Sequence, residues 1–354
     1  GAGSTGKVAL FNTDTKAIFS RNLGLIRIAD SEIKPEFLYS FFSSSLGQIV
    51  IDRGVTGGTG QLTLPTSYLK ELYVPIPTQH FQDLIESIIN KSNNSRLESA
   101  HKIQEVNLSL ISLLGFADFT PSTVNYSSRS SKDAAGVSRF DSEYWLPMYD
   151  EILKIIMSYQ NGHSQIGKEY KQIKSNFKPE KESKFKYVEI GDISISQPDF
   201  TFTELMGDEL PANAKIKLKH KTLVTSKVKP NRGATAILND ENEYIVSGAF
   251  VALQEKDMNL ETLYAYLKLE PIKELLLRYN TGTSYPTITD SDVLNLPIPK
   301  ISQDVQKDIQ QGVSEATKLL SNSKRLLEVA KRAVEVFIEQ DEQAALEYIR
   351  QNYE

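Results

Sequence analysis

The fold is decided by a stretch of sequence that occurs twice, as GTGQLTL at residues 58–64 and as GTSYPTI at residues 282–288. A shift of 224 positions superposes the two copies and continues without a gap into LYVPIP at residues 72–77 and LPIP at residues 296–299. Similarity at a fixed offset indicates that one structural unit has been duplicated.

Further matches lie on both sides of this stretch. A shift of 225 aligns LYSFF at residues 38–42 with LYAYL at residues 263–267, and the shift of 224 aligns Gln82 with Gln306. Offsets that change slowly along the chain are typical of loop insertions in a duplicated unit. The alternative is that two unrelated Gly/Thr loops happen to precede Pro-flanked strands.

Each copy ends in a long helical pattern, over residues 79–114 and residues 302–348, with apolar residues three or four positions apart and no proline. At a rise of about 1.5 Å per residue, such helices are on the order of 50 to 60 Å long, too long to bury an apolar stripe against one small domain. The pattern therefore predicts an antiparallel coiled coil with globular units at its ends. The alternative is that each helix packs on its own domain.

The rest of the chain predicts an α+β fold. Short alternating segments at residues 187–195, 215–225, 234–238 and 244–253 are typical of strands, and one amphipathic helix is expected around residues 260–279. We therefore predict two globular domains joined by two long antiparallel coiled-coil helices. The expected order is a partial first domain (1–77), a first spacer helix (78–116), a Ser/Thr/Gly-rich linker (117–140), a second domain (141–300) and a second spacer helix (301–354).

The first domain is predicted to be truncated. Residues 1–77 match only the back half of the second domain, and nothing in them corresponds to the stretch from residue 141 to about residue 230. About ninety residues of the first copy therefore have no counterpart on the N-terminal side.

Composition excludes several classes of protein. The chain has 40 basic and 45 acidic residues, so a nucleic-acid partner would have to be bound by local basic clusters. The absence of cysteine excludes disulfides and thiolate chemistry and fits a reducing compartment. The apolar runs are far shorter than the roughly 18 residues that span a bilayer, so we expect a cytoplasmic protein without a membrane partner.

A nucleotide-binding enzyme is an alternative, because GAGSTGK at residues 1–7 resembles a phosphate-binding loop. Val8 stands where that motif needs Ser or Thr for Mg²⁺, and no strand precedes the loop. A shift of 227 also aligns Gly6 with Gly233, which lies in a turn without such a motif. A structural or DNA-facing turn explains these residues better.

No other catalytic or metal site is expected. The four histidines lack metal-ligand spacing, and Glu180, Glu182 and Lys184 lack the upstream Asp of a nuclease site. We therefore predict a protein that is not an enzyme and has no cofactor of its own.

A basic segment is the most distinctive chemical feature. In a strand, Lys215, Lys217, Lys219 and Lys221 would project from one face, and Lys227, Lys229 and Arg232 follow, so residues 215–232 contain seven basic and no acidic residues. Seven further lysines lie between residues 168 and 186. Such patches bind the phosphate backbone of duplex DNA. The alternative is an edge strand whose lysines prevent aggregation.

The duplicated Gly/Thr loops could supply contacts to bases, since Arg, Asn, Gln, Thr and Tyr side chains alternate there with flexible Gly. A purely structural turn between helix and strand is the competing interpretation. The candidate DNA-binding residues are Lys215, Lys217, Lys219, Lys221, Lys227, Lys229, Asn231, Arg232, Arg278, Asn280, Thr281, Thr283, Tyr285, Arg53, Thr56, Thr59 and Gln61.

The order of these features resembles the specificity subunit of type I restriction-modification enzymes. The likeness is carried by TGQ at residues 59–61 with LYVPIP at residues 72–77, by TSYPTI at residues 283–288 with LPIP at residues 296–299, and by SKVKPNRG at residues 226–233. It covers nearly the whole chain.

The resemblance implies a non-catalytic subunit that directs methylation, and cleavage when a motor subunit is present, to a bipartite site in double-stranded DNA. Each globular unit would be a target recognition domain. The paired helices would be the spacer and the docking surface for two methyltransferase subunits, and a motor/endonuclease subunit would complete the assembly. S-adenosylmethionine would belong to the methyltransferase. A coiled-coil interaction protein without DNA binding is the alternative.

Overall fold

The computed structural model describes residues 5–13, 15–20, 22–29, 32–58, 62–175, 177–238, 242–282 and 285–353. The chain divides into two units, the first containing Gly1–Leu97 and Leu319–Glu354 and the second containing Glu98–Lys318.

Helices occur in both units, and strands occur in the second. The helices are α1 (Pro35–Ser43), α2 (Ser45–Gly54), α3 (Thr66–Lys70), α4 (Gln79–Leu114), α5 (Ser131–Val137), α6 (Pro147–Met157), α7 (Ile166–Glu169), α8 (Leu260–Lys268), α9 (Glu270–Leu277), α10 (Asp290–Asn295), α11 (Gln303–Glu339) and α12 (Glu342–Asn352). The strands are β1 (His163–Gln165), β2 (Tyr170–Ile173), β3 (Lys184–Val188), β4 (Thr203–Met206), β5 (Ala214–Leu218), β6 (Thr222–Ser226), β7 (Thr235–Leu238), β8 (Tyr244–Ser247), β9 (Phe250–Glu255) and β10 (Pro297–Pro299). The chain is thus a mixed helix and sheet protein, and none of its described helices is both long and apolar enough to cross a membrane.

Two four-stranded sheets form the strand-rich part of the second unit. One has the order β2-β9-β6-β7 and is antiparallel throughout, and the other has the order β4-β3-β8-β5 and contains the parallel pair β3 and β8. Strand β1 pairs with β10. Every residue of the central strand β6 is buried. Leu223 packs into a core with α8 and α9, whereas Val224 packs into a second core with β8, because successive side chains of a strand point to opposite faces.

The first unit is helical. Phe37, Phe41 and Phe81 from α1 and α4 form a core with the C-terminal part of α11 and with Ala345 and Ile349 of α12. The burial of these aromatic and aliphatic side chains stabilises the unit.

The duplication is visible in hydrogen bonds. In the first unit, the Gln82 amide oxygen accepts from the Lys34 backbone N–H at 2.8 Å, and its nitrogen donates to the Pro77 carbonyl at 3.2 Å. In the second unit, the Gln306 amide oxygen accepts from the Asn259 backbone N–H at 3.1 Å, and its nitrogen donates to the Ile301 carbonyl at 2.9 Å. The three aligned positions are 224 or 225 residues apart.

In both units, a backbone hydrogen bond joins the two ends of the Gly/Thr loop. The backbone N–H of Thr56 donates to the Thr63 carbonyl at 2.8 Å, and that of Thr281 donates to the Thr287 carbonyl at 3.0 Å. Helices α1 and α8, which begin 225 positions apart, have nine residues each. The sequence repeat therefore corresponds to a repeat of structure.

The described residues of the first unit form no sheet like those of the second. Residues 8–11, 18–19 and 25–28 align with β7, β8 and β9, yet among the described residues of this unit only an isolated bridge between Thr56 and Thr63 has strand pairing. In the second unit, β6 pairs with β7 and β9, and β8 pairs with β3 and β5. The strands that pair with β7, β8 and β9 are β2, β3, β5 and β6, and all four lie within the stretch that has no counterpart in the first unit. Apolar side chains such as Ile18 and Leu25 therefore stay exposed.

Both long helices contribute to both units, and within each unit they run antiparallel. In the first unit, the Ser92 hydroxyl donates to the Ser323 carbonyl at 2.8 Å, and the rings of Phe81 and Phe337 lie 5.5 Å apart. In the second unit, the Ser99 hydroxyl donates to the Ala316 carbonyl at 2.7 Å. Small serine side chains allow the two backbones to approach closely.

Several expected element bounds were wrong. The helix expected over residues 302–348 ends at Glu339, and α12 begins after Asp341. The backbone of Asp341 is extended, and its side chain accepts from the Ala344 N–H at 2.8 Å. The helix expected around residues 260–279 is two helices, because Pro271 begins α9 and cannot continue the hydrogen bonding of α8. The segment expected as a linker contains α5.

Candidate nucleic-acid interface

The lysines of residues 215–221 do not share one strand face. Strand β5 ends at Leu218, and His220 has a φ of 66°, which turns the chain before β6 begins. Lys219 and Lys221 therefore lie outside the strand. The alternating pattern was misleading because it runs through a turn between β5 and β6, which belong to different sheets.

Most of these lysines are paired with acids that are remote in sequence. The ammonium groups of Lys217 and Lys219 lie 2.7 and 2.8 Å from the Glu243 carboxylate and hold its pKa at about 2. Lys221 bridges Glu255 at 3.0 Å and the buried Glu261 at 2.8 Å. Lys215 is exposed. The positive patch of the sequence is thus largely neutralised by its neighbours in space.

Two other predicted groups are brought together. The turn at residues 227–233 and the loop after α9, described at residues 278–282 and 285–288, are here called the paired loops. The Lys229 N–H donates to the Pro286 carbonyl at 2.7 Å, and the Ile288 N–H donates to the Lys227 carbonyl at 3.0 Å. Val228 and Thr287 form a β-bridge between them. The paired loops therefore form one surface of the second unit.

The turn has a fixed, unusual backbone. Lys229 and Gly233 both have left-handed φ values, 49° and 67°, on either side of a 3₁₀ turn at Pro230–Arg232. A Cβ on Gly233 would lie 2.9 Å from the Lys273 side chain, so this position favours glycine for both conformation and space. The turn presents Asn231 and the exposed Arg232.

The turn and the loop also share a charged aromatic contact. The Lys229 ammonium lies 4.4 Å from the ring centre of Tyr285, which is 60% exposed. Lys227 forms an ion pair within the protein, since its ammonium lies 2.6 Å from the Asp290 carboxylate. Lys229, Arg232 and Tyr285 are therefore the accessible cationic and aromatic groups of the paired loops, the chemistry that phosphates and base faces accept.

Two residues predicted to contact DNA, Asn280 and Arg278, make internal contacts that fix the loop. The Asn280 amide oxygen accepts from the N–H groups of Gly282 at 2.8 Å and Thr287 at 2.9 Å. Arg278 is only 7% exposed, and its guanidinium lies 3.0 Å from the Asp150 carboxylate. Thr281 is exposed beside them.

The corresponding positions of the first unit are less well defined. Arg53 and Thr56 are exposed, and Thr56 forms the bridge with Thr63. Thr59, Gln61 and Thr283 lie outside the described residues.

Sequence reasoning missed Lys268 and Arg139. The Lys268 ammonium donates to the carbonyls of Gly233 at 2.8 Å and Ile195 at 3.2 Å, and burial, with repulsion from Lys273, lowers its pKa to about 8. Arg139 contacts the loop after α9 from the segment expected as a linker. In the sequence, the adjacent aromatic residues Tyr144 and Trp145 in a polar stretch could have indicated a packed segment there, since both contact Arg139.

The features considered for catalysis are described only in part. Within the part of the chain that the structure describes, no group of three or more His, Asp or Glu side chains could hold a metal ion. Glu180 and Glu182 are exposed in a turn. Residues 1–4 of the glycine-rich start lie outside the described residues.

No protein family model matches the sequence, and no curated protein matches it. Solved structures do. The proteins in two of them are type I restriction-modification S subunits.

One is the crystal structure of the type I restriction-modification system S subunit from M. genitalium, with 16% sequence identity, coverage of 87% of this chain and 72% of that chain, and a TM-score of 0.39. The other is the HsdS subunit from Thermoanaerobacter tengcongensis, with 13% identity, 88% and 71% coverage and a TM-score of 0.32. A third structure describes complex assembly and conformational transition of the type I R-M system, with 13% identity, 87% and 72% coverage and a TM-score of 0.33.

Proposed function

We propose that this chain is a non-catalytic DNA-specificity subunit of a type I restriction-modification system. The observation that carries the proposal is the pairing of the turn at residues 227–233 with the loop after α9, which places Lys229, Arg232 and Tyr285 on one surface. Cationic side chains there bind backbone phosphates, and hydrogen-bonding side chains on the same loops read base edges.

The duplication supports a bipartite target. The second copy would be a complete target recognition domain, and residues 1–77 would be part of another, because the repeat includes α1, α2 and the Gly/Thr loop in both units. Completing the first domain would require strands equivalent to β3, β5 and β6.

The long helices are proposed as the spacer and as the docking surface for methyltransferase subunits, as the sequence resemblance implies. Adenine methylation, and DNA cleavage by a motor subunit, would then take place in the partners.

An interaction protein without DNA binding is the second candidate. It is favoured by one observation, the pairing of Lys217, Lys219 and Lys221 with Glu243, Glu255 and Glu261, which removes much of the expected positive patch.

Binding of a random-sequence duplex, measured by fluorescence anisotropy at several salt concentrations, separates the two candidates. A specificity subunit binds at low salt and loses affinity steeply as salt rises, because counterions are released from the phosphates. Absence of binding at low salt would leave the interaction protein as the better interpretation. Co-expression with a type I methyltransferase subunit, followed by a survey of methylated adenines, tests whether the chain directs methylation.

A further inference from the structure

The loop after α9 is held from outside by a short segment that precedes α6. This segment, residues 139–146, is here called the strap; it contains a 3₁₀ turn at Ser142–Trp145. It lies next to the three consecutive residues that begin the loop, Arg278, Tyr279 and Asn280.

Arg139 makes the direct contact between the strap and the loop. Its guanidinium donates twice to the Asp141 carboxylate, at 2.7 and 2.6 Å, and once to the Asn280 carbonyl at 2.8 Å. The Arg139 side chain is 20% exposed, and its own carbonyl accepts from the Trp145 indole N–H at 3.1 Å. Both the guanidinium and the backbone carbonyl of Arg139 are therefore held by hydrogen bonds.

Tyr144 adds a second contact. Its ring lies 4.7 Å from the Arg139 guanidinium carbon and 4.6 Å from that of Arg278, and its edge meets the Tyr279 ring at 6.3 Å between centres. Stacking of guanidinium groups on an aromatic ring is favourable where both are shielded from water.

The contact is made at the residue that organises the loop. Asn280 accepts from the N–H groups of Gly282 and Thr287 through its side chain, and its carbonyl is the acceptor for Arg139. A shift of Asn280 would therefore move Thr287, whose neighbours Pro286 and Ile288 bond the turn at residues 227–233.

We propose that Arg139 is a positioning residue for DNA recognition, which fixes the paired loops in the geometry that distinguishes one base sequence from another. The inference rests on the proposed function. Arg139 acts through Asn280 and needs no contact with DNA. Phosphate contacts tolerate small displacements, whereas bidentate contacts to base edges do not, so losing Arg139 should reduce selectivity more than overall binding.

Arg129 provides a matched control. Its guanidinium pairs with Asp150 and lies 5.4 Å from the Trp145 ring, so it also connects the polar segment to α6 without bonding a residue of the loop directly. In Arg129→Gln, Asp150 keeps its second partner, Arg278 of the loop. Arg129→Gln removes the same charge and a comparable ion pair.

The experiment compares Arg139→Gln, Arg139→Lys and Arg129→Gln with the parent chain. Selection from a random duplex library gives each variant's ratio of specific to non-specific affinity, and hydrogen exchange gives the protection of the Gly282 and Thr287 amides. Arg139→Gln should lower the ratio about tenfold and the protection severalfold, with non-specific affinity within about twofold of the parent. Arg139→Lys should give a partial loss, because an ammonium cannot present a fork to Asp141 while reaching Asn280.

Unchanged selectivity and unchanged exchange in Arg139→Gln would overturn the proposal, and so would equal losses in Arg129→Gln, which would indicate general destabilisation. If Arg139→Gln fails to fold, Arg139→Lys decides by the same readouts. A parent chain that binds DNA without selecting any sequence would refute the proposed function. The exchange of Gly282 and Thr287 would then still test whether Arg139 fixes the loop.

Discussion

Gln82 and Gln306 make equivalent hydrogen bonds in the two units of this chain. Each amide oxygen accepts from the backbone N–H that precedes a nine-residue helix, and each amide nitrogen donates to the carbonyl just before a long helix. Both side chains are buried, so neither can exchange these partners for water.

Replacing Gln306 should therefore destabilise the second unit. Gln306→Met keeps a similar length but leaves the Asn259 N–H and the Ile301 carbonyl without their side-chain partner, and each buried group left unpaired costs about 1 to 3 kcal/mol. Urea unfolding followed by circular dichroism measures the change. Gln311→Met is the control, because Gln311 is exposed and bonds only Glu315 on the same helix. A similar loss in both variants would contradict the role assigned to Gln306.

Removing the acid that pairs with two lysines should increase binding to every duplex. Glu243→Gln leaves Lys217 and Lys219 free to bind phosphate, so the logarithmic salt slope should steepen by about one to two. Asp208→Asn, which removes an equal charge from an exposed turn, is the control and should leave the slope nearly unchanged. An unaltered slope in Glu243→Gln would place both lysines outside the DNA-binding surface.

The pKa of Glu243 gives this ion pair a defined pH dependence. Because Lys217 and Lys219 lower the pKa from 4.5 to about 2, the stabilisation is fully present above the ordinary value and is lost as pH falls through about 2. A carbon-detected NMR titration of the carboxyl measures the pKa, and Lys217→Met combined with Lys219→Met should return it toward 4.5.

Lys229 and Arg232 should contribute more to DNA affinity than Lys217. Each alanine substitution in the turn should weaken binding to all duplexes and reduce the salt slope by about one, because each removes one phosphate contact. Lys217→Ala should have the smaller effect, since the Lys217 ammonium is already paired with Glu243. Anisotropy titrations at several salt concentrations compare the variants. A larger loss of affinity in Lys217→Ala than in the turn variants would indicate that DNA binds at β5.

Lys268 should make stability depend on pH in the alkaline range. Its pKa is lowered from 10.5 to about 8, so between these values the unfolded chain holds a proton that the folded chain has lost. The free energy of unfolding should therefore rise with pH across this window, by at most about 3 kcal/mol. Lys268→Met should abolish the rise, whereas Lys273→Met should only narrow the window. A parent chain with flat stability between pH 8 and 10.5 would contradict the lowered pKa.

The N-terminal part of the first unit should exchange its amide hydrogens quickly. Residues 18–19 and 25–28 align with β8 and β9 of the second unit but lack their strand partners, so their amides should exchange orders of magnitude faster than those of β8 and β9. Hydrogen exchange followed by mass spectrometry measures both segments in one sample. Equal protection would show that these residues pair with another part of the chain.

The sequence predicted the features that depend on local periodicity and on self-similarity. The repeat identified the equivalence of Gln82 with Gln306, and the three-four spacing over residues 79–114 predicted α4. The spacing did not predict the break after Glu339, because the apolar pattern continues into α12. The break depends on the extended backbone of Asp341.

The candidate site was predicted only in part. The turn at residues 226–233 and the loop that begins at residue 278 were recognised from their composition, and the bridge between Val228 and Thr287 joins the paired loops. The roles of Asn280 and Arg278 were not predictable, because their partners, the loop backbone and Asp150, are identified only once the chain is folded.

The sequence by itself determined the duplication, the long helices and the segments rich in basic and Gly/Thr residues. Each of these features depends only on the types of residues and their spacing along the chain. Tertiary structure alone decided which charges remain available for a partner. Lys217 and Lys219 meet Glu243, and Lys221 meets Glu255 and Glu261, at separations of 24 to 40 residues in sequence but 2.7 to 3.0 Å in space. Electrostatic attraction depends on distance in space, which the order of residues does not contain.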